Sequence, residues 1–161
     1  MKFIYLKDKS NDEKLIRAVA ELLEKKYRRP IEICAYKDSR ELALVDLKGN
    51  PTDLIVTFNL AGFDISTLTD GLSYNLVDSK FIHFLLHENL PNEKYLSKQL
   101  SISMFFYCVG NEYCDYLWKT YPEIPWLKEL TGWNAEETQN TESNVACIVS
   151  AIEEVIRECR L

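Results

Sequence analysis

No stretch of this 161-residue chain contains the roughly 18 consecutive apolar residues that a membrane-spanning helix requires. The amino-terminal "MKFIYLKDKSND" turns polar too soon for the apolar core of a signal peptide, so a cytoplasmic location is expected. A basic excess is also missing. The net charge of −6 and a pI of about 5.0 argue against a nucleic-acid partner. The densest basic run, "EKKYRR" (24–29), closes an amphipathic helix, where cations complement the helix dipole. The five cysteines (34, 108, 114, 147 and 159) are odd in number and form no CxxC, so neither a disulfide framework nor a metal site is expected. Cys34, Cys108 and Cys147 lie in apolar runs, where a thiol behaves as a small hydrophobe.

Glycine is missing where a nucleotide fold needs it. The turn after the first apolar segment, "LKDKSNDEK", has no GxGxxG, and Asp8, Asp12 and Glu13 would repel a phosphate there. No P-loop occurs, and no cofactor is expected. Asn59 stands where a phospho-acceptor receiver would carry aspartate. Ser66, Ser73 and Ser79 lack a GxSxG elbow, and neither Cys108 nor Cys114 lies in a cysteine–histidine signature.

What is present is a soluble domain's composition, 47% hydrophobic and 27% charged, at a length that buries a sizeable core. Strand-like segments at 2–7, 31–36, 53–59, 81–87 and 101–110 alternate with helical ones. Ser10 and Glu13 form a capping box, after which Leu15, Ala18, Val19, Leu22 and Leu23 share one helical face. Residues 39–51 read as a short helix, and 71–78 as one or two turns. The segment 90–99 is a polar connection or helical turn. A helix follows the fifth strand with Tyr113, Tyr116, Leu117 and Tyr121 inward, and "IPWLKELTGW" (124–133) adds a short sixth strand or a packed turn. A polar surface linker at 134–144 precedes a final helix, 145–160, striped by Val145, Ile148, Val149, Ile152, Val155 and Ile156. "FIHFLLH" is apolar on both faces, as in a central parallel strand. The expected fold is one three-layer Rossmann-like α/β domain, with a mostly parallel sheet of about five strands and helices on both faces.

Such sheets bind ligands beyond the carboxyl ends of their strands. This directs attention to Lys7-Asp8-Lys9-Ser10, to "LIVTFNLAGFDISTLTDG" (54–71), to His87-Glu88-Asn89 and to Gly110-Asn111-Glu112. Either Asp64, Thr67, Thr69 and Asp70 cap their own backbone, or Asn59, Asp64 and Thr69 line a polar rim suited to hydroxyls. The ligand-binding set is Asn59, Gly62, Asp64, Thr69, His87, Glu88 and Asn111. His87, Glu88 and Asp64 are the candidates for catalysis, with His87–Glu88 or Asp64–Asp70 as an acid–base pair. His83 and His87 fall on a strand-like segment, about 13 Å apart, too far to share a metal; His83 reads as core. Tyr74 and the tryptophans 118, 126 and 133 serve either as ring-stacking platforms or as packing.

The segments "PTDLIVTFNLAGF", "KFIHFLLHEN" and "SISMFFYCVGNEYCDYLWKTYP" resemble the N-terminal half of GT-B glycosyltransferases, particularly the spore-maturation CgeB type, over about residues 51–133. The resemblance implies an acceptor-half-like binding or partner module, with no nucleotide-sugar domain after Trp133. Its partners would be a sugar or other hydroxylated small molecule, another protein or a second copy. Two alternatives stand beside it. One is a complete small transferase acting on a hydroxylated small molecule and completed by dimerisation. The other is a protein-interaction domain using the aromatic-rich 104–133 surface.

Overall fold

A computed structural model of the chain describes residues 1–7, 12–38, 41, 54–64, 79–136 and 141–161. Among them, β1 (Lys2–Leu6) leads to helix α1 (Asp12–Tyr27), β2 (Glu32–Tyr36), β3 (Leu54–Phe58) and β4 (Lys80–Leu85). A 3₁₀ turn at Glu93–Tyr95 runs into the short helix α2 (Leu96–Gln99). Then come β5 (Met104–Cys108), α3 (Asn111–Thr120), β6 (Leu127–Glu129) and α4 (Glu142–Cys159). The strands form one sheet in the order β2-β1-β3-β4-β5-β6, and every neighbouring pair is parallel.

Alternation along the strands builds two cores, as the two faces of a pleated sheet require. Phe3 and Tyr5 of β1, Val56 and Phe58 of β3, and Ile82 and Phe84 of β4 pack with α1 and α4 on one face. Ile4, Ile55, Phe81 and Leu85 pack on the other with Phe106, Tyr113 and Leu117. The fold is therefore the three-layer Rossmann-like α/β domain expected, with six strands in place of five. The sixth is the segment left open between strand and turn. It has only three residues, two of them exposed, too few to show a periodicity.

Other boundaries shift for identifiable reasons. Helix α4 starts at Glu142, three residues before the apolar stripe, because Thr141 caps it by accepting from the Asn144 amide at 3.4 Å. Asn144 is fully buried and bonds the Asn134 backbone twice, its Oδ1 accepting from N–H and its Nδ2 donating to C=O. That part of the proposed linker is thus pinned to the helix. Tyr116 is 46% exposed, not inward; Cys114 takes the buried place beside Tyr113 and Leu117. The capping residue Ser10, all of the 39–51 helix except Glu41, and the turns at 71–78 lie outside the described residues. Among the described residues, no helix is long and apolar enough to cross a membrane.

Candidate functional site

The chain leaves β1 for its neighbour on one side, β2, then returns past β1 to form β3 on the other side. Where strand order reverses like this, the connections after the two central strands diverge and leave a crevice at their carboxyl ends. Here α1, after β1, packs on one face, while Leu60 and Phe63, just after β3, are buried on the opposite face. Between them opens a cavity of about 400 Å³, lined among others by Lys7, Asp12, Glu13, Lys37, Asp38, Asn59, Asp64 and Asn92. That volume is in the range of small-molecule sites.

The floor of the crevice is a hydrogen-bond cluster centred on Asp12, the first helical residue of α1, which is 3% exposed. Its Oδ2 accepts from Asn59 Nδ2 at 2.7 Å and lies 2.9 Å from His87 Nε2. Asn59 Oδ1 accepts from the Leu86 amide at 2.9 Å, and the Asn59 amide donates to the Phe84 carbonyl at 2.7 Å. Asn59 thereby continues the β3–β4 ladder while its side chain holds the carboxylate. It does so from a left-handed conformation, φ 53°, and Leu60 follows at φ 57°. For leucine that region costs about 1–2 kcal/mol, strain of the kind that collects at binding and catalytic edges. Gly62, at φ 83°, completes the turn.

The structure gathers some of the expected residues and separates others. Asn59 and Asp64 line the cavity; Asp64 Oδ1 accepts from Asn92 Nδ2 at 3.2 Å. Gly62 is buried in the turn behind them. His87, two residues past the end of β4, joins through Asp12. Glu88 and Asn111 are exposed and do not line the cavity. Thr69, Asp70 and Tyr74 lie outside the described residues. Trp126 packs edge-on against Phe105 and Tyr107, Trp133 packs against the core, and Trp118 is 43% exposed.

Asp12, Lys37 and Asn92 line the cavity without having been expected there, and Lys7, expected only as a strand-end position, lines it too. Asp12 had entered only as an obstacle to phosphate. Its signal was positional: it opens the helix after β1, the strand at which the sheet order reverses.

His83 has a different setting. It is fully buried, 2.6 Å from Thr57 Oγ1 through Nδ1, and ringed by Phe63, Phe81 and Phe106. Desolvation lowers its pKa from the usual 6.5 to about 3, keeping it neutral. It is a core residue. Among the described residues, no group of three or more histidine, cysteine, aspartate or glutamate side chains is arranged to hold a metal.

A second cavity, about 160 Å³, lies at the opposite sheet edge and is lined mainly by Met1, Leu23, Tyr27, Pro30, Ile31 and Leu54. It is largely apolar and lies at the amino ends of the strands, the edge such folds do not use for ligands. The sequence matches no protein-family model and no curated protein. The geometry at the β1/β3 edge therefore carries the functional reading.

Proposed function

We propose that the chain is a binding domain for a small hydroxylated ligand, a sugar or similar polyol, held in the crevice between the carboxyl ends of β1 and β3. The observation that carries this is the placement of carboxylates and carboxamides (Asp12, Asn59, Asp64 and Asn92) around one cavity at the strand-order reversal. Carboxylates and amides offer the paired acceptors and donors that hydroxyl groups need. The reading agrees with an acceptor-half-like module of the GT-B type, whose ligand would be a hydroxyl-bearing acceptor. A thermal-shift screen of simple sugars and nucleotide-sugars tests it, because a ligand favouring the native state stabilises it by mass action. A sugar that raises the midpoint of the wild type and not that of Asp12→Asn supports the reading. A screen in which no sugar moves the wild type removes it.

One contact favours a second reading, a small transferase. His87 Nε2 lies 2.9 Å from the Asp12 carboxylate, a pairing of imidazole and acid that could move a proton to or from a ligand hydroxyl. In that case His87→Gln retains ligand binding and loses turnover. Loss of binding alone returns His87 to a positioning role.

A further inference from the structure

The two lysines at the lip of the crevice are not accounted for by a neutral ligand. The parallel register pairs Leu6 with Tyr36, and the Lys7 amide extends the ladder by donating to the Tyr36 carbonyl at 2.7 Å. Lys7 and Lys37 therefore follow side by side on adjacent strands, and both line the same cavity. Like charges placed opposite each other across two strands repel.

The acids lining the cavity have partners of their own. Glu13 is bound by Arg17 at 3.0 Å. Asp38 accepts from the Glu41 amide at 3.0 Å. Asp64 accepts from Asn92, and Asp12 is held by Asn59 and His87. Among the described residues neither lysine ammonium forms an ion pair or hydrogen bond, although the Lys37 amide donates to Glu41 Oε2 at 2.6 Å and Glu13 feels the charge of Lys7. The acids thus have protein partners yet keep acceptor capacity for hydroxyls, whereas the two ammonium groups stand at the mouth without a carboxylate bound to them among the described residues. An anion at the amino terminus of α1 is disfavoured, since Asp12 and Glu13 already occupy that first turn. An anion between the lysines meets two charge-assisted donors.

From this we infer that the ligand carries an acidic group, a carboxylate or a phosphate, which seats between Lys7 and Lys37 while its hydroxyls face Asp12, Asn59 and Asp64. The inference rests on the small-polyol reading of the same cavity and narrows it to acidic sugars. Calorimetric titration at low salt with glucose, glucuronate and glucose 6-phosphate tests it on the wild type and on Lys7→Gln/Lys37→Gln. Both lysines are exposed, so an unchanged thermal midpoint is expected for the double variant and verifies its fold.

The expected result is that at least one acidic sugar binds the wild type roughly tenfold or more tightly than glucose does, weakens as salt rises, and loses that advantage in the double variant. Comparison of glucuronate with glucose 6-phosphate identifies which acid is preferred. Glucose binding as tightly as both acidic sugars, or an acidic preference that survives in the double variant, overturns the inference and leaves the polyol reading standing. Failure of all three sugars to bind the wild type overturns the inference and counts against the polyol reading as well.

Discussion

Two histidines on the same run of chain, His83 and His87, sit in opposite circumstances. Strands β3 and β4 pair Thr57 with His83 in the middle of the sheet. Just beyond the strand ends, Asn59 and His87 meet at Asp12. Each place joins a β3-side polar group to a β4-side imidazole. The inner pair is dry, walled by three phenylalanine rings, and has a charge-free hydrogen bond. The outer cluster includes a carboxylate, a side chain 36% exposed at His87, and a cavity. The inner pair is sealed in the core, whereas the outer one borders a cavity. The difference arises from where the sheet ends rather than from residue type.

The largest effect expected from breaking this contrast lies at the inner pair. His83→Ala leaves a void among the rings and strands the Thr57 hydroxyl, a loss of about 3 kcal/mol, read as a lower midpoint in chemical denaturation. The wild type should also become less stable with acid. His83 is neutral in both states above its unfolded pKa of 6.5; between 6.5 and about 3 only the unfolded chain takes up the proton. Its contribution is therefore intact above pH 6.5 and falls by about 1.4 kcal/mol per pH unit toward pH 3. His83→Leu removes that component of the slope, which denaturation across the window measures directly.

At the outer cluster, Asp12→Ala deprives Asn59 and His87 of their acceptor. It should cost about 2 kcal/mol and abolish any ligand-induced thermal shift. A variant that loses stability but keeps the shift would make the cluster purely structural. Smaller still is Gly62→Ala, where a side chain enters φ 83°; about 1 kcal/mol of destabilisation is expected. Glu88→Gln and Asn111→Ala should change stability by less than about 0.5 kcal/mol and leave ligand response unaltered, since both are exposed and away from the cavity.

The same contrast explains what could be read from the sequence. Runs such as "LIVTF" and "FIHFLL" are apolar on both faces, as strands of a buried parallel sheet are, and their alternation with helical segments made the fold class legible. The burial of His83 followed too, from its place inside such a run. The site was legible in halves. Asn59 and Asp64, which closely follow apolar segments, line the crevice, and His87 meets it through Asp12. Asp12 and Lys37 were not expected there, and Lys7 only as a strand end, because their place at the crevice depends on β1 lying between β2 and β3. Strand order is set by crossovers and packing rather than by local pattern. Glu88 and Asn111 share the right edge by strand position, yet their side chains do not line the crevice.

The most direct measurement is amide chemical-shift mapping of the isotope-labelled protein during titration with glucuronate and glucose 6-phosphate. The account predicts shifts at Lys7, Asp12, Asn59, Asp64 and Asn92, with Leu23, Tyr27, Ile31 and Leu54 at the opposite edge unmoved. Shifts concentrated at that opposite edge, or none at the carboxyl ends of β1 and β3, would contradict it.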